Sequence, residues 1–208
     1  MRNLIFDLGG VIIDLSVDRT IQAFSKLSGC TPEQILQRYH TNPEFLAYET
    51  GEISDDEFRK AVQRIFSFEA DNDKFDQAWN SMLVALPRAK LDLLEQLKGN
   101  LSLTVLSNTN NIHLGYVNSV MIPAVSLRSK LDDYFDHHYY SHLVGKRKPD
   151  PAIFHQVLIE KQFDPAETLF LDDNEINIKA AREAGISARL VEHPDQVFEY
   201  VRANDYGT

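Results

Sequence analysis

The sequence predicts an α/β fold, in which a doubly wound parallel sheet carries an inserted helical block. Two patterns support this prediction: short apolar runs that stop at polar residues recur along the chain, and segments of helical period separate most of them. Strands that alternate with helices are typical of parallel sheets, whose strands are covered on both faces and are therefore apolar along their whole length. A third pattern, a long block with helical periodicity alone, indicates the insertion.

Four apolar runs are predicted to be buried parallel strands, because each is continuous and ends at a polar residue. They are Leu4–Phe6 before Asp7, Leu101–Leu106 before Ser107, Thr168–Leu171 before Asp172, and Ala188–Val191 before Glu192. Three segments between the strands are predicted to be helices: Ala89–Lys98, Pro151–Lys161 and Ile176–Ala184. Gly99 and Gly185 follow two of these helices, where glycine suits the left-handed position beyond a helix end.

Residues 16–86 break this alternation, because they contain helical patterns and no convincing strand. Ser54 with Glu57 has the spacing of a capping box before Phe58–Phe66, and Pro32 stands in the first turn of an earlier helix. We therefore expect two domains, an α/β core of residues 1–15 and 87–208 and a helical domain of residues 16–86.

The composition limits the class of protein. A chain of 208 residues with 43% hydrophobic residues can bury a core, which argues against intrinsic disorder. Its formal charge of −10 offers no basic surface for a phosphate backbone, so we expect no nucleic-acid partner. No apolar run approaches the roughly 20 residues that span a bilayer, and the opening stretch lacks the pattern of a signal peptide. Cys30 is the single cysteine and cannot form an intramolecular disulfide, so we expect a cytoplasmic location. We also expect no membrane contact and a monomer or weak homodimer.

Polar side chains follow three of the predicted strands. Asp7, Ser107 and the pair Asp172-Asp173 all stand at carboxyl ends, where open parallel sheets bind their ligands. A single aspartate after a strand is typically a turn former or a helix cap. Three strand ends with an acid, a hydroxyl and a paired acid favour a common binding site instead.

Four ordered motifs resemble those of the haloacid dehalogenase-like superfamily. They are Phe6-Asp7-Leu8-Gly9-Gly10-Val11, Leu106-Ser107-Asn108-Thr109, Lys148-Pro149-Asp150-Pro151, and Leu171-Asp172-Asp173-Asn174 with Asn177. The resemblance covers almost the whole chain, and the helical block stands where that superfamily's first cap type is inserted. It implies a Rossmann-like core, a helical cap domain and a Mg²⁺-dependent phosphatase. The stretch Glu49–Ser54 is similar to the sugar-phosphatase branch typified by α-D-glucose-1-phosphate phosphatase, which implies small phosphorylated metabolites, sugar phosphates first, as substrates.

The resemblance implies that Asp7 is the nucleophile and forms an aspartyl-phosphate, which water then hydrolyses. A carboxylate approaches a phosphate dianion only if cations intervene, and Mg²⁺ prefers oxygen ligands in octahedral geometry. The implied metal ligands are Asp7, the backbone carbonyl near Gly9, and the acidic pair. Within that pair, Asp173 is implied to bind the metal directly and Asp172 through water or as a hydrogen-bond acceptor.

The second and third motifs imply the phosphate site. The Ser107 hydroxyl and the backbone N–H of Asn108 would hold the phosphate oxygens, although either residue could instead be the N-cap of a following helix. Lys148 would balance the charges of the phosphate and Asp7. Asn177 would orient either the loop of Lys148 or the turn of the metal site.

The chain departs from the superfamily pattern at Gly9. Most phosphatases of this superfamily carry there a second aspartate that protonates the leaving oxygen, and such acid–base help is worth roughly 10²–10⁴ in rate. Either the substrate has a good leaving group, such as an anomeric or acyl phosphate, or a cap residue or water supplies the proton. Cap residues that could line the pocket include His40, Phe45, Tyr48 and Glu49.

Two alternative functions stay open at this point. One is a 2-haloacid dehalogenase, in which the same aspartate displaces halide without a metal; Leu8-Gly9-Gly10 and the acidic pair argue against it. The other is a catalytically weak module that binds phosphorylated metabolites, which the glycine at position 9 supports.

Overall fold

The computed structural model describes residues 1–203 and contains a five-stranded parallel sheet. In chain order the strands are β1 (Asn3–Phe6), β2 (Asp14–Leu15), β3 (Leu83–Ala85), β4 (Ser102–Ser107), β5 (His137–Tyr140), β6 (Thr168–Asp172) and β7 (Ser187–Leu190). The large sheet has the order β5-β4-β1-β6-β7, and its four pairings are all parallel. The predicted doubly wound α/β fold is confirmed, with β1 in the middle of the sheet.

The central strand shows why these runs are continuously apolar. Successive side chains of a strand point to opposite faces of the sheet. Leu4 and Phe6 pack into one hydrophobic cluster, whereas Ile5 between them packs into the cluster on the other face. Both faces of β1 are therefore buried, and neither can accept a polar side chain.

Helices cover both faces of the sheet. The core helices are α6 (Arg88–Leu97), α7 (Asn111–Tyr116), α8 (Ile122–Val125), α9 (Ser141–Val144), α10 (Pro151–Lys161), α11 (Glu175–Glu183) and α12 (Gln196–Ala203), and a π-helical turn (Val117–Met121) joins α7 to α8. The three predicted helices are confirmed within one residue at each end. Gly99 and Gly185 have φ values of 92° and 84°, so each takes the left-handed position expected of it.

Edge strand β5 has no counterpart among the predicted strands. It begins with His137 and His138, which interrupt any apolar run, and only Tyr139 and Tyr140 are buried. The strand pairs with β4 along one side alone, because it is the last strand of the sheet. A half-buried edge strand of four residues leaves too little pattern to be recognised from the sequence.

Five helices occupy most of the block after β2. They are α1 (Val17–Ser28), α2 (Pro32–Thr41), α3 (Pro43–Glu49), α4 (Asp55–Phe66) and α5 (Asn72–Asn80). The predicted capping box before α4 is present, because Ser54 Oγ accepts from the Glu57 backbone and the Glu57 side chain accepts from Ser54 N. The helices pack around their own hydrophobic cluster, which is rich in aromatic rings. Among the residues that the structure describes, no helix is long and apolar enough to cross a membrane.

The expectation that residues 16–86 contain no strand is wrong at the end of the block. Leu83–Ala85 forms β3, which pairs antiparallel with β2. These two short strands lie where the chain enters and leaves the helical block, and Ser16 N also donates to Met82 O across them. A strand of two or three residues is fixed by this pairing of distant segments, which no local pattern records.

We expect Phe58→Ala to lower the free energy of unfolding by about 3–5 kcal/mol, the usual cost of removing a buried aromatic ring. Phe58 is fully buried, stacks on Tyr48 with ring centroids 3.9 Å apart, and meets Trp79 edge-on at 5.0 Å. Urea denaturation of the whole protein measures this loss of unfolding free energy. Ile159→Ala is the control, because this side chain is 76% exposed and should change stability by less than about 0.5 kcal/mol. Equal effects of the two substitutions would contradict the assigned packing.

Candidate active site

Acidic side chains from two neighbouring strands meet at one edge of the sheet. Asp7 follows β1, Asp172 ends β6 and Asp173 follows it. One carboxylate oxygen of each residue lies within 4.8 Å of the others. Carboxylates at this separation repel one another unless positive charge lies between them. The arrangement is therefore suited to a cation.

Lys148 reaches this cluster from the loop before α10. Its Nζ lies 2.8 Å from Asp7 Oδ1 and 2.5 Å from Asp172 Oδ2, and the side chain is 1% exposed. Burial alone would lower the pKa of Lys148, but the two carboxylates outweigh burial and raise that pKa above its ordinary value. Lys148 therefore stays charged and ties two strand ends together.

Although Lys148 is charged, negative charge still exceeds positive charge around Asp7. Burial raises the pKa of Asp7 to about 7; Lys148 opposes this rise and Asp172 adds to it. One ammonium group faces three carboxylates in this cluster. A bound divalent cation would supply the missing positive charge and lower the pKa of Asp7.

The two acids of the pair have different surroundings. Asp172 is fully buried, and its oxygens accept hydrogen bonds from Lys148 Nζ, Asn174 N and Asn177 Nδ2. Asp173 is exposed, and its carboxylate lies against Gly10, where an added Cβ would collide with it. Gly10 also has a φ of 73°, so both the space and the backbone conformation at this position require glycine. Hydrogen bonds from protein groups thus hold the Asp172 carboxylate in place, whereas the exposed carboxylate of Asp173 is more accessible to a ligand.

The two amide side chains hold different parts of the site, and the contacts of Asn177 agree with the second of its two expected roles, at the turn of the metal site. Asn177 donates to both oxygens of Asp172, so it contacts the acidic turn. Asn108 holds the loop of Lys148: its Nδ2 donates to Lys148 O at 2.8 Å, and its Oδ1 accepts from Lys148 N at 2.9 Å. With the side chain of Asn108 engaged in this way, its backbone N–H is the group left to meet a ligand.

Ser107 ends β4, beside β1 in the sheet, and is 3% exposed. It is not the N-cap of the next helix, because Asn110 caps α7 by accepting from His113 N. Within residues 1–203 the Ser107 hydroxyl has no hydrogen-bond partner, and it is not sealed from solvent. It is therefore available to a ligand.

The structure gives a physical reason for glycine at position 9. A Cβ at Gly9 would collide with Cδ1 of Leu15, which packs against this backbone. The direction in which an acid–base side chain would extend is therefore occupied. Any larger residue at this position requires Leu15 to change its rotamer.

A cavity of about 450 Å³ lies between the helical block and the core. Its wall is mostly apolar, and its core side is formed by Asn108, Asn110 and His113. Of the cap residues considered from the sequence, His40, Phe45 and Glu49 line it. Tyr48 does not: its hydroxyl donates to Asp55 at 2.7 Å and accepts from Ile112 N, so it joins the helical block to α7.

A second link between the two parts is ionic. Glu49, at the end of α3, lies 3.1 Å from Arg147, the residue before Lys148. Burial raises the pKa of Glu49, and Arg147 opposes that rise. The position of the helical block is thus coupled to the loop that carries Lys148.

The fold and the acidic site define a hydrolase. The model of the haloacid dehalogenase-like hydrolases matches residues 1–185, and the chain belongs to this family. A D-ribitol-5-phosphate phosphatase of Bacteroides thetaiotaomicron is 36% identical over 186 residues, which are 89% of each chain. A solved family member from the same organism, in complex with magnesium and inorganic phosphate, is 39% identical with a TM-score of 0.83, over 91% of this chain and 93% of that one. The structure of a haloacid dehalogenase-like (HAD-like) hydrolase from Porphyromonas gingivalis is 29% identical to this chain. The match has a TM-score of 0.87 and covers 99% of this chain and 98% of that one.

Proposed function

We propose that the chain is a Mg²⁺-dependent phosphatase that hydrolyses small phosphorylated metabolites, sugar phosphates first, through an aspartyl-phosphate on Asp7. The observation that carries the proposal is the convergence of three carboxylates and the Lys148 ammonium at one sheet edge. Two relatives support it. The solved family member from Bacteroides thetaiotaomicron is in complex with magnesium and inorganic phosphate, and the similar D-ribitol-5-phosphate phosphatase acts on a sugar phosphate.

The residues at this edge fit magnesium. Carboxylates of Asp7 and Asp173 and the backbone carbonyl of Gly9 would hold it, since Mg²⁺ takes hard oxygen ligands and few protein carboxylates. The charge imbalance of the acidic cluster supports this assignment. When bound, the ion supplies positive charge that neutralises phosphate oxygens. Asp172, held by Lys148 and Asn177, would act as a hydrogen-bond acceptor that fixes the lysine.

The chain's own residues would carry out the reaction in two displacements. Asp7 attacks phosphorus, a new O–P bond forms, and the bond to the alcohol oxygen breaks. Lys148, the Ser107 hydroxyl and the backbone N–H of Asn108 hold the remaining phosphate oxygens. Water then attacks the aspartyl-phosphate and releases phosphate, which restores Asp7. The proton for the alcohol comes from water or from a cap residue, because Gly9 has no side chain to give one.

We further propose that residues 16–86 form a cap domain over a core of residues 1–15 and 87–208. Such a cap would cover the cavity while Asp7 reacts, exclude water and open to release product. The Glu49–Arg147 ion pair and the Tyr48–Ile112 hydrogen bond support a closed position of this kind. The cytoplasmic location and the monomer or weak homodimer expected from the sequence stay predictions.

Release of inorganic phosphate from sugar phosphates, nucleotides and acyl phosphates, measured with Mg²⁺ and with EDTA, tests the proposed function. We expect turnover with Mg²⁺ and its loss with EDTA. Halide release from 2-haloacids that persists in EDTA would favour the dehalogenase alternative, which the acidic cluster argues against. Negligible turnover of every phosphate would favour a binding module.

Adding Mg²⁺ at about 100 times its dissociation constant should raise the melting temperature of the metal-free protein by roughly 5–11 °C. A ligand at 100 times its dissociation constant adds about 2.7 kcal/mol of stability, and each kcal/mol shifts the melting temperature of a chain this size by about 2–4 °C. Asp173→Asn should reduce the shift, because it removes an exposed acid of the cluster. Glu183→Gln on α11 is the matched control and should keep the full shift. No shift in the wild type would contradict the proposed metal site.

A further inference from the structure

His113 is a buried histidine that the proposed reaction does not use. It lies on α7 at the boundary between the core and the helical block, and it is 7% exposed. Its ring stacks on Trp79 of α5, with centroids 4.9 Å apart and planes 9° from parallel. Both rings line the cavity, and Asn108 lines it as well.

Hydrogen bonds hold this ring in one orientation. His113 Nδ1 lies 2.9 Å from Asn80 Oδ1, which can only accept, so Nδ1 carries the proton. Asn110 Oδ1 accepts from both His113 N and Trp79 Nε1, which fixes the stacked pair from one side. The remaining ring nitrogen, Nε2, is therefore a bare acceptor.

Nε2 of His113 has no hydrogen-bond partner among residues 1–203, and it is not sealed from solvent. Because His113 lines the cavity and its Nε2 is accessible, a ligand in the cavity can donate a hydrogen bond to this nitrogen in place of water. Burial also lowers the pKa of His113 to about 3, so the ring stays neutral near pH 7. A neutral ring accepts a hydrogen bond at Nε2 and carries no charge that would compete for the phosphate group.

Apart from the exposed His40, the other polar side chains of the cavity are already engaged in hydrogen bonds. Glu49 pairs with Arg147 and accepts from the Tyr39 hydroxyl at 3.4 Å, and Asn108 holds the Lys148 backbone. Ligand cavities are mostly apolar and use a few placed polar groups to orient the ligand. In a cavity of this composition, the free acceptor at His113 Nε2 favours a substrate that carries a hydrogen-bond donor.

We propose that His113 Nε2 accepts a hydrogen bond from a hydroxyl group on the organic part of the substrate, which makes His113 a specificity-determining residue for hydroxylated phosphate esters. The inference rests on the proposed function, because it places the phosphate near Asn108 and the organic part in the cavity. His113 acts on binding and orientation, while the bonds at phosphorus are made and broken at Asp7.

His113→Phe tests this inference, since phenylalanine can stack on Trp79 but cannot accept a hydrogen bond. D-Ribitol 5-phosphate serves as the hydroxylated substrate and acetyl phosphate as one without hydroxyls. We expect kcat/KM for the first to fall about 10- to 100-fold, with KM bearing most of the change, and kcat/KM for acetyl phosphate to stay within about twofold. His113→Gln, which keeps an acceptor, should restore part of the loss. His155→Phe, an exposed histidine on α10, is the matched control.

Equal losses on both substrates, or no loss on either, would overturn the assignment of His113. A binding measurement separates this result from failure of the proposed function. In an Asp7→Asn background, calorimetry gives the affinity for D-ribitol 5-phosphate and for inorganic phosphate with no turnover needed. His113→Phe should weaken the first about tenfold or more and leave the second unchanged. If the wild type lacks phosphatase activity, the proposed function fails, and this binding difference still decides the role of His113.

Discussion

Asp7→Asn will lower kcat for phosphate release by more than about 10⁴-fold, because the amide has the shape of the carboxylate but is not a nucleophile. Single-turnover phosphate release with a sugar phosphate measures the loss. The fold should persist, since the substitution removes a buried negative charge near Asp172 and leaves the surrounding hydrophobic packing unchanged. Asp18→Asn, an exposed residue in the first turn of α1, is the matched control and should retain wild-type turnover.

The same variant should change how stability depends on pH in EDTA. The pKa of Asp7 is raised to about 7 in the folded state, chiefly by burial, from an ordinary value of 3.8. Between these values the folded protein binds more protons than the unfolded chain, so this group makes stability fall as the pH rises from about 4 to 7. Asparagine does not titrate, so the fall should be smaller in Asp7→Asn. Turnover that survives in this variant would contradict the nucleophile assignment.

The sequence predicts those features of the structure that depend on residues close together in the chain. Leu4–Phe6 is apolar because both sheet faces cover it, and Gly99 and Gly185 stand where the backbone turns left-handed. The site's general position follows from the same logic, because polar residues at the ends of neighbouring parallel strands must share an edge. The sequence alone therefore predicts that Asp7 and Asp172 lie close together.

The remaining features depend on contacts between distant residues. Asn108 meets the Lys148 backbone across 40 residues, and Trp79 stacks on His113 across 34 positions of the chain. Neither contact produces a periodic pattern in the sequence, because each depends on how the helical block and the loops pack against the sheet. Likewise, the collision with the Asp173 side chain, which adds to the φ of 73° in requiring glycine at position 10, depends on a residue far along the chain.

Lys148→Met will lower both activity and stability. Removal of a cation that stabilises developing charge on phosphate typically costs about 10²- to 10³-fold in kcat. The same change leaves two buried carboxylates without their ammonium partner, and breaking a buried pair costs about 3–5 kcal/mol. Urea denaturation in EDTA and steady-state phosphate release measure the two losses. Lys146→Met, an exposed lysine two positions earlier, should change neither by a comparable amount.

A double variant separates the two roles of this lysine. Asp172 is fully buried and accepts the 2.5 Å hydrogen bond from Lys148, so adding Asp172→Asn to Lys148→Met removes the more deeply buried of the two unpaired charges that destabilise the single variant. Much of the lost stability should return, because neutralising both partners leaves less uncompensated charge buried than removing one. Activity should not return, since no ammonium faces the phosphate in either variant. If turnover recovers together with stability, Lys148 holds the sheet edge together and takes no direct part in phosphoryl transfer.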